Sequence, residues 1–208
     1  MQTASPCVRI VEDEPDIRKL LSLLVEAGGF SSRAYESAER FISEDNLSEP
    51  GCILIDLKLP VMSGVELFHW IRSQPIPLPT IIVTGHGTIA KAVQCLKGGA
   101  ADFIEKPIDS VELISLVLRA VAIDANQRAT RESMADVAER YESLSLRQKQ
   151  VMVCLSQGLS SKQIASRMGV TTKTVEKHRG LVMQKMHAVS LAEVVRAALE
   201  LNLSTGPT

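Results

Sequence analysis

Short apolar runs alternate with amphipathic stretches over the first 120 residues. Residues 8–11, 53–55, 80–83 and 102–104 are apolar or nearly so, and 32–35 is a weaker run of the same kind. Between them, residues 15–27, 37–42, 64–72, 88–97 and 110–123 repeat apolar positions at helical spacing. The first pattern predicts strands covered on both faces, and the second predicts the helices that cover them. Five strands alternating with five helices predict an α/β domain with a doubly wound, five-stranded parallel sheet. In such a sheet functional groups gather at the carboxyl ends of the strands.

The pattern changes after residue 123. Residues 124–141 are rich in Ala, Arg, Glu, Gln and Asp, contain neither Pro nor Gly, and show only a ragged three-four apolar repeat. This predicts a helical segment, either a solvated linker or a dimeric coiled coil. From residue 145 onward every pattern is helical. Ser145, Ser160, Thr171 or Thr172, and Ser190 stand where N-caps belong, and Gly158 and Gly169 stand where helices should stop. Four helices, predicted at 146–156, 161–168, 172–186 and 191–201, with a tight glycine turn between the second and third, predict a small all-α helix-turn-helix domain. The predicted organisation is therefore an α/β domain at 1–122, a helical linker at 123–142 and a helix-turn-helix domain at 143–208.

Composition narrows the function. Hydrophobic residues make up 45% and charged residues 23% of the 208, as in a folded soluble chain. The net charge of −1 hides an asymmetry. From Glu142 onward nine Lys and Arg face four Asp and Glu, a charge of +5, leaving fourteen against twenty, −6, in the rest. A basic C-terminal domain behind an acidic one points to a polyanion as partner of the former. Cys7, Cys52, Cys95 and Cys154 form no C-x-x-C pair and lie in or beside apolar stretches, so buried free thiols are expected. The first seven residues lack the segments of a signal peptide. The longest apolar stretch, 111–123, is broken by Glu112 and Arg119. A cytoplasmic protein without a membrane partner is expected.

Chemistry concentrates at the predicted strand ends. Glu12 and Asp13 follow the first strand, Asp56 the third, Thr84 the fourth and Lys106 the fifth. Clustered carboxylates repel one another and call for a cation, and Mg²⁺ prefers a few carboxylates together with waters and a phosphate. Lys106 supplies a positive charge for a transferred phosphoryl group, and Thr84 supplies a hydroxyl donor. An aspartate nucleophile, a metal and a cationic anchor together describe a phosphoryl-transfer site.

These residues carry a resemblance. Val11-Glu12-Asp13-Glu14, Ile55-Asp56-Leu57 with Pro60 and Met62-Ser63-Gly64, then Thr84, and Phe103 ahead of Lys106-Pro107, resemble the receiver domain of bacterial response regulators over about residues 5–122. The resemblance implies a flavodoxin-like fold and a phosphoryl group passed to Asp56 from a sensor histidine kinase. It implies Mg²⁺ on Asp13, Asp56 and the main-chain carbonyl of Lys58, with Glu12 acting through metal-bound water. It also implies a switch in which Thr84 moves toward the phosphoryl oxygens and Phe103 turns inward, and a cis Lys106–Pro107 peptide. His86, two residues past Thr84, is expected at the mouth of the pocket, more as a surface residue than a catalytic one.

A second resemblance covers about residues 143–203. Leu144 to Val151, Gly158 to Ala165 and Val170 to Arg179 resemble the LuxR-type helix-turn-helix of the FixJ/NarL group. On the third helix, Val175, Val182 and Met186 share a face that can bury. Lys173, Glu176, Lys177, Gly180 and Gln184 share the opposite face, which should enter the major groove. Glu176 and Lys177 are the candidate base readers. Lys162, Lys173, Thr174, Arg179 and Lys185 are the candidate phosphate contacts. Together the two resemblances imply a transcription regulator that is not an enzyme, that dimerises on promoter DNA when phosphorylated, and that meets RNA polymerase there. Two rivals stay open at this stage: a phosphohydrolase or kinase-like enzyme using Asp56, and a module that sequesters a partner without DNA.

Overall fold

The computed structural model describes residues 5–85 and 89–203. Five parallel strands, β1 (Cys7–Val11), β2 (Ser31–Tyr35), β3 (Gly51–Asp56), β4 (Thr80–Thr84) and β5 (Asp102–Glu105), form one sheet in the order β2-β1-β3-β4-β5. Its helices are α1 (Pro15–Ala27), α2 (Ala38–Glu44), α3 (Gly64–Arg72), α4 (Ile89–Lys97) and α5 (Ser110–Glu142). Period-two alternation splits β1, β3, β4 and β5 between two cores, while β2 gives only Tyr35 to one of them. Ile53, Ile55 and Ile82 pack with Phe41, Leu67, Phe68, Ile71 and Cys95 from α2, α3 and α4. Cys52, Leu54, Ile81 and Val83 pack with Leu21 and Val25 of α1 and with Leu113, Leu116 and Val117 of α5. The all-apolar runs are therefore what a doubly covered sheet requires. All four cysteines are buried free thiols.

The strand ends reach one residue further than the sequence predicts, so that Asp56, Thr84 and Glu105 close β3, β4 and β5. His86 and Thr88, the latter expected to open α4, lie outside the described residues.

The largest difference concerns α5. The hydrophobic pattern ends at residue 123, yet one unbroken helix runs from Ser110 to Glu142. Compact packing divides the chain into Met1–Arg128 and Ala129–Thr208. Asp124 and Arg128, read as linker residues, pack on the first unit. Asp124 is 1% exposed. Its Oδ2 accepts from the Gly51 amide at 2.9 Å and from Arg128 Nε at 2.7 Å. Arg128 also donates to the carbonyls of Ser48 and Glu49. These polar contacts, invisible to an apolar count, keep α5 on the unit beyond the end of its apolar stripe.

The second unit holds the end of α5 and four further helices, α6 (Leu146–Ser156), α7 (Ser161–Met168), α8 (Thr172–Lys185) and α9 (Leu191–Glu200). Ser145 with Gln148, and Ser160 with Gln163, form capping boxes, and Thr171 and Ser190 cap the next two helices. Gly169 ends α7 at φ 65°, a left-handed conformation that costs glycine little. Val151, Met152, Leu155, Ile164, Val175, Val182 and Val194 form its core, with Val137 and Tyr141 of α5 packed against it. No helix among the described residues is long and apolar enough to cross a membrane.

Candidate functional site

β1, β3, β4 and β5 bring Glu12, Asp56, Thr84 and Lys106 to one edge of the sheet. Asp56 is 4% exposed. Its Oδ1 accepts from the Lys58 amide at 2.7 Å, and its Oδ2 is paired with the Lys106 ammonium. Lys106 Nζ also lies 2.9 Å from Glu12 Oε2 and 3.7 Å from Glu14 Oε1. The Lys106 amide donates to the Thr84 carbonyl at 2.8 Å, which holds the turn after β5 beside the end of β4. The Lys106–Pro107 peptide is cis. Gly64, the first residue of α3, is required by packing: a Cβ there would lie 2.0 Å from the Asp56 carbonyl oxygen.

Glu12 is fully buried. Its Oε1 accepts from the Glu14 amide at 3.3 Å. Its Oε2 faces the Lys106 ammonium at 2.9 Å. Burial pushes the Glu12 carboxyl up to about 7; Lys106 pulls it down and Asp56 adds to the rise. Burial works against the Lys106 ammonium, but Asp56 and Glu12 outweigh it and hold its pKa above the usual range.

Glu12, Asp13 and Asp56 offer carboxylate oxygens that lie within 4.8 Å of one another, with Asp13 exposed. Three hard oxygen donors, two of them on buried carboxylates, fit a small divalent cation. A titration follows. A carboxyl raised in the folded state contributes stability that is full below its unfolded value of 4.5 and is lost as pH rises through about 7. Without divalent cations, the melting temperature of wild-type protein should therefore fall over that window more steeply than that of Glu12→Gln. Parallel pH profiles for the two proteins in EDTA would show that this carboxyl is not the titrating group.

Thr84 is fully buried, with its hydroxyl directed to the Gly85 carbonyl at 3.5 Å. Phe103 is half-buried and packs against the core beneath α2, α3 and α4. Lys58 touches Asp56 through its amide.

In the second unit, α8 buries Val175, Val182 and Met186 and exposes Lys173, Glu176, Lys177, Gly180 and Gln184, as the sequence predicts. Lys162 is exposed on α7. Thr174 shares a hydrogen bond with Thr171 at 2.8 Å between hydroxyls. The other two candidate phosphate contacts are engaged inside the domain. Arg179 donates to Ser161 and lies 3.4 Å from Glu176, and Lys185 Nζ donates to the Ser143 carbonyl at 2.6 Å. Sequence reading missed Ser161 and Ser143 as their partners, since a hydroxyl and a carbonyl leave no charge pattern to follow.

Comparison with known proteins agrees with both halves. Residues 8–118 match the response regulator receiver domain, and residues 142–198 match the bacterial regulatory proteins of the luxR family. The transcriptional regulatory protein FixJ of Azorhizobium caulinodans is 37% identical over 92% of this chain and 91% of its own. FixJ of Rhizobium meliloti is 38% identical over 92% of this chain and 94% of its own. The solved structure of the response regulator StyR superposes with a TM-score of 0.83 at 31% identity, covering 95% of this chain and all of that one.

Proposed function

Because the chain belongs to the FixJ/NarL-type response regulators, with a receiver domain and a LuxR-type DNA-binding domain, we propose that a phosphoryl group on Asp56 controls its binding to promoter DNA. The donor is the phosphohistidine of a sensor histidine kinase. A carboxylate oxygen of Asp56 attacks phosphorus, the phosphorus–nitrogen bond breaks, and the imidazole leaves and takes up a proton. Lys106 donates to the phosphoryl oxygens, replacing the contact it makes with Asp56. Glu12, Asp13, Asp56 and the main-chain carbonyl of Lys58 would hold Mg²⁺, which supplies charge neutralisation on the transferred group. The carrying observation is the buried set itself: one ammonium shared by Asp56 and Glu12, with an Asp13 carboxylate oxygen within 4.8 Å of theirs.

An acyl phosphate carries about −2 charge and three acceptor oxygens where a carboxylate of charge −1 stood. Thr84, at the end of β4, reorients its hydroxyl toward them. Phe103, half-buried on β5, moves into the space that is released. The phosphorylated receiver dimerises and sets two α8 helices about one DNA turn apart. Lys177 donates to guanine and Glu176 accepts from cytosine, while Lys162, Lys173 and Thr174 meet phosphates. RNA polymerase is the partner at the bound promoter. The relatives are transcriptional regulators by name, and the proposal treats this chain as one, not as an enzyme.

The test is footprinting of genomic fragments with and without acetyl phosphate and Mg²⁺. Protected sites should appear, or strengthen by at least about tenfold in affinity, only with both present. Equal protection in all four conditions would remove phosphorylation control from the proposal.

A further inference from the structure

We propose that Arg179 is a positioning residue for DNA recognition, tying α8 to the start of α7, and that it makes no phosphate contact. The inference rests on the DNA-binding reading and refines it. At about 100° per residue, Lys173, Glu176, Lys177, Gly180 and Gln184 cluster within about 60° of one direction on α8. Arg179 lies about 120° from that direction and about 40° from the centre of the buried Val175, Val182 and Met186 stripe. Its side chain is only 26% exposed. Nη1 donates to the hydroxyl of Ser161, the first residue of α7, which is itself 9% exposed.

The same Nη1 lies 3.4 Å from Glu176 Oε1, one turn back on α8. The guanidinium therefore joins three things: the N-terminus of α7, the middle of α8 and the one acidic side chain on the face that should meet bases. A cation in that place sets the angle between the two helices and steadies the Glu176 carboxylate. The C-terminal end of α8 is held in a comparable way. Lys185 Nζ donates to the Ser143 carbonyl at 2.6 Å, and Arg140 Nη1 donates to the Met186 carbonyl at 3.4 Å. The helix is thus held at two points by cations bonded within the domain, and Lys162, Lys173 and Lys177 are among the exposed cations on α7 and α8.

Salt dependence separates positioning from phosphate contact, because each neutralised phosphate contributes about 0.9 to the log-log slope. Full-length protein with acetyl phosphate and Mg²⁺ selects a duplex from a random pool of roughly 30 bp, long enough for two half-sites. Affinity for the recovered duplex, and for versions with single base pairs changed, is measured over a salt series. Thermal melts ensure that each variant is folded. Lys173→Gln should lower the slope by about 0.9 per protomer and leave base discrimination intact. Arg179→Gln should keep the wild-type slope and lose about tenfold in discrimination at one position, a single base pair's contribution. Ser161→Ala, which removes the tie without removing a charge, should lose discrimination at the same position. The double variant should be no worse than Arg179→Gln. Ser161→Ala also decides the matter if Arg179→Gln does not fold. A slope reduced by about 0.9 in Arg179→Gln with discrimination intact makes Arg179 a phosphate contact and overturns the inference. Unchanged slope and unchanged discrimination overturn it as well. Failure of the wild-type protein to enrich any duplex overturns the DNA-binding reading itself.

Discussion

Replacing Asp56 by asparagine is expected to reduce acetyl-phosphate-dependent phosphorylation to background while leaving the protein folded. The amide keeps the size of the side chain and an oxygen able to accept from the Lys58 amide, now at 2.7 Å from Oδ1. It removes the anionic nucleophile, so no acyl phosphate forms. It also removes the charge that Lys106 faces, leaving Glu12, 2.9 Å away, as that ammonium's remaining buried carboxylate partner. Asp56 is one of the two sources that raise the Glu12 carboxyl, the smaller beside burial. Its neutralisation therefore relieves repulsion in the pocket, and the folded state should lose no stability. Phosphoprotein gel shift and intact mass measure the first outcome, and thermal unfolding measures the second. Acid-stable incorporation in Asp56→Asn equal to wild type would move the phosphoryl group elsewhere. Affinity for the footprinted promoter should then be insensitive to acetyl phosphate in this variant.

The site was legible because its residues end strands in chain order. An apolar run of fixed period says where a strand stops, and a parallel sheet brings every such stop to one edge. Glu12, Asp56, Thr84 and Lys106 needed no tertiary information beyond that rule. The complete burial of Glu12 and its raised carboxyl were not legible, since both depend on how much water the fold excludes. The same limit applies on α8. The helical period separates a buried stripe from an exposed one, but a long arginine on the flank can turn either way. Only the presence of Ser161 across the gap shows that Arg179 turns inward. The boundary at 122 stands beside the last apolar position, Ile123, although Asp124 and Arg128 stand at i and i+4 and form a pair. That spacing was the available signal, and it reads equally well as a solvated helix face.

Arg9 is the sharpest instance, and it carries the second large effect. It interrupts the apolar run of β1 and looks like a defect in the pattern, yet it is fully buried. Nε pairs with Asp45 Oδ1 at 2.9 Å, Nη1 donates to the carbonyls of Cys7 and Pro50, and Nη2 donates to those of Asn46 and Glu49. One guanidinium thus gathers both ends of the connection between α2 and β3, and shares the Glu49 carbonyl with Arg128. Arg9→Met keeps much of the volume and removes every donor. The Asp45 carboxylate, 1% exposed, keeps the Tyr35 hydroxyl at 2.6 Å and the more distant Arg33, but loses its buried cation. Breaking one side of a buried pair costs about 3–5 kcal/mol. In a unit of this size that lowers the receiver's melting temperature by roughly 10–20 °C. Burial, and next the hydrogen bond to Asp45, push the Tyr35 hydroxyl pKa up, so Tyr35 stays a donor and does not add a second charge. Arg9→Met/Asp45→Asn removes the stranded charge and should recover part of the loss. Differential scanning calorimetry of the full chain measures both. A drop of only a few degrees in Arg9→Met, with no recovery in the double variant, would show that this connection is held by something other than the ion pair. The network sits at the opposite end of β1 and β3 from Glu12 and Asp56, so the loss should appear in stability before it appears in phosphoryl transfer.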